Sequence, residues 1–151
     1  MVGVIAVGVD GSDASLEALR WAAEEARLRG SSLRAIHAWS FIPPQPIGDP
    51  GMLVMPAGDF AGQLDAESDA ARSALELAVS EALVAEPGVE IEQKIVEGDA
   101  GSALVAESES AELVVVGSHG RSGLKAALLG SVSRHVVSHA ACPVVVVKAS
   151  N

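Results

Sequence analysis

Val2-Gly3-Val4-Ile5-Ala6-Val7-Gly8-Val9 is a nearly continuous apolar run that ends in Asp10-Gly11-Ser12-Asp13. A short apolar run closed by a turn suits a strand buried on both faces, as in a parallel sheet. Leu16, Leu19, Ala22, Ala23 and Ala26 then recur at helical spacing, and the segment stops at Gly30. Ser12 and Asp13 are suited to cap the start of that helix, and a glycine is the usual residue just past its end. A strand feeding a helix is the first half of a βαβ unit. The fold class is decided by whether the pattern repeats.

It does repeat. Leu33 to Trp39 reads as a second strand, and Phe60 to Ala85 as a long Ala-rich helix closed by Pro87-Gly88. Between them residues 40–58 carry Pro43, Pro44, Pro46, Pro50 and Pro56, which predicts a flexible excursion or a lid. Val89 to Val96 alternates apolar and polar residues, as a half-exposed edge strand does. Asp99 is placed to cap a helix over Ala100 to Ser108, and Leu113 to Val116 is a fourth apolar strand. A loop of about thirteen residues leads to Gly130, where Ser131 is placed to cap a helix bearing Val132, Val136 and Val137. Pro143 to Val147 reads as the fifth strand. Strands alternating with helices predict an α/β fold: an open five-stranded parallel sheet with helices on both faces and right-handed crossovers. The alternation leaves the strand order open. The whole of 1–151 reads as one domain.

Composition narrows the function classes. Hydrophobic residues make up 49% of the chain, with two Phe, two Trp and no Tyr, so the core must be built from Val, Ala, Leu and Ile. A formal net charge of -10 argues against a broad nucleic-acid footprint and against adhesion to an anionic membrane. It leaves room for one anionic ligand held by backbone N–H groups. The single cysteine, Cys142, permits no intrachain disulfide, and the N-terminal residues read as a strand, so a cytoplasmic setting is expected. No apolar run reaches the ~20 residues of a membrane helix.

Two strand ends carry chemistry. The fourth strand runs into Gly117-Ser118-His119-Gly120-Arg121-Ser122-Gly123, and its loop closes with Gly130-Ser131-Val132-Ser133. Such a loop is about twice the usual two to six residues. Its glycines allow positive φ and close approach of a ligand, and the helix it feeds starts with unpaired N–H groups at the positive dipole end. With the Ser131 and Ser133 hydroxyls, and with His119 and Arg121 as side-chain donors, these parts predict a phosphate cradle. The pattern is neither a Walker A loop nor the dinucleotide fingerprint. The competing explanation is a long surface loop before a capped helix. Asp10 closes the first strand, where a carboxylate binds ribose hydroxyls, holds a metal through water, or simply starts a turn. In an open doubly wound sheet, ligands sit past the carboxyl ends of the strands at the switch in strand order.

Other candidates point to structure. His135 and His139 share one helix face at i, i+4 spacing, but no third metal ligand is evident. His37 lies in a strand, structural or at a pocket rim. Cys142 reads as packing, and Glu107-Ser108-Glu109-Ser110-Ala111-Glu112 as a solvated turn.

The run Gly117 to Ser133 resembles the nucleotide motif of the universal stress proteins: Gly, two residues, Gly, nine residues, then Gly-Ser or Gly-Thr. Gly117, Gly120, Gly130 and Ser131 match it in full. Val7 to Ser12, His37 and the ending Pro143 to Lys148 are also similar to that family, so the likeness covers essentially the whole chain. The resemblance implies the ATP-binding subgroup, strand order 3-2-1-4-5, and ATP with Mg as ligand. Adenine would lie against Val9, Asp10 and the backbone of Ala38. Ribose would lie near Gly8 and Gly117, and the phosphates near Gly120, Gly130, Ser131, Val132 and Ser133, with Val116 a further binding residue. His119 and Arg121 match variable positions. It further implies a homodimer through the edge strand Val144, Val145, Val146 and Val147.

The function this points to is a nucleotide-dependent stress-response switch or sensor with slow ATP hydrolysis at most, because no general base beyond Asp10 and His119 is evident. An ATPase or adenylyl-transferring enzyme on the same fold is one alternative. A phosphoacceptor receiver domain using Asp10, Asp13, Asp99 and Lys148 is another.

Overall fold

The computed structural model of the chain describes residues 2–41, 60–83, 88–120 and 128–149. Strands and helices alternate: β1 (Val4–Gly8), α1 (Asp13–Arg29), β2 (Ser32–Trp39), α2 (Phe60–Ala82), β3 (Ile91–Glu97), α3 (Ala100–Ser108), β4 (Leu113–Gly117), α4 (Ser131–His139) and β5 (Val144–Val147). The five strands form one parallel sheet in the order β3-β2-β1-β4-β5. The proline-rich excursion, from residue 42 onward, and Arg121 lie outside the described residues.

Local chemistry places α1 as expected. Ser12 is the N-cap, its Oγ accepting the Ser15 N–H at 3.2 Å. Gly30 adopts φ 68°, and the Ser31 N–H closes back on the Ala26 carbonyl at 2.9 Å. Any residue with a β-carbon is strained in that left-handed conformation. The buried face of α1 is almost all small, Ala14, Ala18, Ala22, Ala23 and Ala26, with Leu19 among them. The helix therefore seats close on the sheet.

The core has two layers, one on each face of the sheet. Ile5 and Val7 of β1, Leu33 and Ala35 of β2 and Val115 of β4 meet α1 and α2. Ala6, Ile36, Val114 and Val116 face the other way and meet Leu104 of α3 and Val136 of α4. β1 and β4 are buried on both faces, which is why they read as unbroken apolar runs. Each buried valine there contributes about 1.5–3 kcal/mol of transfer free energy. β3 lies at one edge with Glu92 and Lys94 exposed, as its alternation predicts, but Gln93, on the face of Ile91 and Ile95, is exposed as well.

Two local expectations need correction. Glu107-Ser108 is not a solvated turn. Glu107 is 8% exposed and Ser108 2% exposed. The Glu107 carboxylate takes hydrogen bonds from Arg34 Nη1 of β2, at 2.8 Å, and from Lys94 Nζ of β3. Arg34 also reaches Glu92 at 2.7 Å. This ionic cluster clamps the end of α3 to the β2–β3 flank, and the Ser108 hydroxyl accepts the Ala141 N–H at 2.9 Å. An acidic run looks solvated until the fold supplies its cations. The second correction concerns α4. Gly130, not Ser131, is its N-cap, and it has no side chain to offer.

Candidate functional site

β1 lies between β2 and β4, and the chain leaves β1 and β4 toward opposite faces: α1 packs on one side, α4 on the other. At the carboxyl ends of these two strands a crevice opens, the position where such sheets hold ligands. Here it is a cleft of about 220 Å³. Gly8, Val9 and Asp10 come to it from β1, Ala38 from β2, Val116 and Gly117 from β4. His119, Gly120, Gly130, Ser131, Val132 and Ser133 come from the loop and the first turn of α4. The two segments singled out separately in the sequence thus line one cavity.

Its polar end is the start of α4. The first intrahelical bond there is Arg134 N–H to the Gly130 carbonyl, at 3.0 Å. The N–H groups of Ser131, Val132 and Ser133 have no partner among the described residues. α1 and α3 differ: Ser12 caps one, and Asp99 caps the other through the Ser102 N–H at 2.8 Å. Those hydrogen bonds hold the Asp99 carboxyl below the usual carboxylate range. Among the described residues, α4 is the one helix at the cleft whose first turn has no cap, a row of donors at a positive dipole end.

The serine hydroxyls divide differently from expectation. Ser133 Oγ donates to the carbonyls of Ser118 and Gly130, both at 3.0 Å, and is buried. The Gly130 N–H also reaches the Ser118 carbonyl, at 2.7 Å. Ser133 therefore pinches the loop shut at its base, and its proton is not available to a ligand. Ser131 keeps its hydroxyl.

Asp10 starts a turn, one of the roles open to it. Its Oδ1 accepts from the Ser12 N–H at 2.9 Å and from Ser12 Oγ at 2.5 Å, around Gly11 with φ 83°. Its Oδ2 faces Gly120. One oxygen builds the turn and the other stays available at the cleft.

The motif glycines are small for packing, not for positive φ; none of Gly117, Gly120 and Gly130 has it. A β-carbon on Gly117 would stand 2.9 Å from the Ala14 carbonyl carbon. One on Gly120 would stand 2.5 Å from Asp10 Oδ2, and one on Gly130 3.1 Å from the His119 Cα.

Sequence reasoning missed Ser12, Ser15, Ile36, Ala100 and Leu104, which also line the cleft. Ala100 and Leu104 carry no chemical signature; only the packing of α3 over β1 and β4 brings them there. His135 and His139 stack at 4.4 Å, with His139 Nδ1 donating to the His135 carbonyl at 2.9 Å. Among the described residues no group of three or more His, Cys, Asp or Glu is placed to hold a metal. Cys142 is half-buried, and burial pushes its thiol up from the ordinary value. No helix among the described residues is long and apolar enough to cross a membrane.

A sequence profile of the Universal stress protein family matches residues 1–148. The chain belongs to that family. Universal stress protein Rv2005c of Mycobacterium tuberculosis (strain ATCC 25618 / H37Rv) is 39% identical over 150 residues, 97% of this chain and 45% of that protein. The chain spans about half the length of the curated relatives it matches. A solved universal stress protein in complex with cAMP superposes with a TM-score of 0.66 at 28% identity, covering 99% of this chain and 98% of that one. A universal stress protein family protein from Arabidopsis thaliana with AMP bound gives a TM-score of 0.65 over 98% of this chain and 92% of that one. At 23% identity it shows the shared fold alone. The strand order that the universal stress protein resemblance implied is the order observed.

Proposed function

We propose that this chain binds ATP in the β1/β4 cleft and works as a nucleotide-dependent switch in a stress response. The observation that carries the proposal is the uncapped first turn of α4, opening on the same cavity as Asp10 Oδ2. Three unpaired N–H groups at a helix N-terminus complement a phosphate chain without any net positive charge. Support for an adenine nucleotide comes from the family and from the relative that holds cAMP.

In this assignment the phosphates meet Gly120, Gly130 and the amides of Ser131, Val132 and Ser133, with His119 and Arg121 beside them. Ribose lies near Gly8 and Gly117, and adenine against Val9, Asp10 and the backbone of Ala38. Asp10 Oδ2 would hold a Mg ion, whose positive charge would act on the phosphates, since one or two carboxylates with substrate phosphates is an ordinary Mg donor set. The ion would offset triphosphate charge in a chain of net charge -10. With Asp10 held in its own turn, hydrolysis is slow at most. The wider assignment is a cytoplasmic protein that pairs as a homodimer through β5.

Calorimetric titration with ATP, ADP, AMP and adenosine tests the core of this. Affinity should rise with each phosphate and be weakest for adenosine. Equal affinity for adenosine and ATP would take the phosphates off α4.

A further inference from the structure

The ladder between β1 and β2 stops one rung early. Ser32 N–H donates to the Gly3 carbonyl at 2.9 Å, so alternate residues of β2 turn their N–H groups toward β1. Continued in this register, Ala38 N–H would meet the Val9 carbonyl, and the Val9 N–H does reach the Ile36 carbonyl at 2.8 Å. Yet Ala38 N–H makes no hydrogen bond among the described residues. The Val9 carbonyl is taken instead by a side chain: His37 Nδ1 lies 2.7 Å from it. A carbonyl only accepts, so Nδ1 carries the proton and donates.

The consequence falls on the cleft. Ala38 lines it, and its N–H and C=O both point past the end of β1 with no partner among the described residues. A lone donor beside a lone acceptor is the complement of a ligand edge that presents an acceptor next to a donor. The ring nitrogen and exocyclic amine of adenine form such an edge. Guanine presents the reverse order, which would set donor against donor and acceptor against acceptor.

We infer that His37 is a positioning residue, which by holding the Val9 carbonyl keeps the Ala38 N–H out of the sheet and free to select the base. His37 itself need not touch the ligand. The inference rests on the proposed nucleotide site for its ligand, and on the broken ladder alone for its mechanism.

Two variants test it. His37→Leu removes the donor, while His37→Asn keeps an N–H near the position of Nδ1. In the ligand-free parent, amide exchange at Ala38 should be fast. In His37→Leu it should slow by tenfold or more as Ala38 N–H joins the Val9 carbonyl. ATP affinity should drop about tenfold in His37→Leu, the value of one hydrogen bond, and the preference for ATP over GTP should collapse. His37→Asn should restore both, and inorganic tripolyphosphate should bind parent and variants alike. A protected Ala38 amide in the parent, or an undiminished preference for ATP in His37→Leu, overturns the inference. If the parent binds no nucleotide, the site assignment fails, and Ala38 exchange still decides whether His37 holds the ladder open.

Discussion

A β-carbon added at Gly117 would meet the Ala14 backbone at 2.9 Å, and one at Gly120 would meet a carboxylate oxygen of Asp10 at 2.5 Å. The first neighbour is fixed main chain in the first turn of α1; the second is the movable end of a side chain. The two glycines should therefore fail differently. Gly117→Ala overpacks the β4–α1 contact and should cost about 1–3 kcal/mol of stability, read by urea denaturation. Gly120→Ala should cost less than about 1 kcal/mol, within the scatter of tolerated changes, yet weaken ATP binding by displacing Asp10. Equal stability losses in the two variants would contradict this division. The distinction was not legible in the sequence, where both residues belong to one motif. Which atoms a glycine makes room for depends on α1 and β1 arriving beside the loop. Ser133 is the same kind of case: its hydroxyl is a free donor until the fold brings the Ser118 carbonyl within reach.

At the scale of elements, α3 is held to the sheet by Glu107. Burial pushes its carboxyl up, but the Lys94 ammonium and the Arg34 guanidinium, both bonded to it, outweigh burial and hold it below the usual glutamate range. A carboxyl with a depressed folded-state pKa contributes stability that is fully present above its unfolded value. That contribution is lost as pH falls through the folded-state value. Stability measured by urea denaturation should thus drop on acidification below the ordinary carboxylate range. Glu107→Gln should lose about 2 kcal/mol at neutral pH and show a shallower acid limb. An unchanged acid limb in the variant would place the pH dependence elsewhere. The elements themselves were largely legible. Ser12 and Gly30 bracket α1, Asp99 caps α3, and the boundaries of β3 and β4 fall within two residues of the pattern. Those signals are local, set by neighbours in the chain. The Glu107 clamp was not, because its cations come from β2 and β3.

For the whole molecule, the alternation of strands and helices indicated a parallel sheet but was silent on strand order; the family motif supplied the order, which the topology bears out. That order leaves β5 as an edge of four half-buried valines. Val114 N–H donates to the Pro143 carbonyl and Ser118 N–H to the Val147 carbonyl, so Val144 and Val146 turn their backbone groups outward. An open apolar edge invites a second chain. Val146→Pro removes an outward N–H and leaves the ladder to β4 intact. Sedimentation should find a dimer for the parent and a monomer of unchanged fold for the variant. A parent that sediments as a monomer would remove the dimer from this account.

ATP binding by Ser131→Pro, set beside Ser131→Ala, bears most directly on the cradle. Proline is favoured at the first position of a helix, and Gly130 before it is already extended, with φ -67° and ψ 168°. The substitution should leave α4 folded while deleting one unpaired N–H. Ser131→Pro should bind ATP about ten- to a hundredfold more weakly than Ser131→Ala, which lacks the same hydroxyl but keeps the N–H, the loss of one charge-assisted hydrogen bond, with adenosine unaffected. ATP bound by Ser131→Pro as tightly as by Ser131→Ala would contradict the cradle.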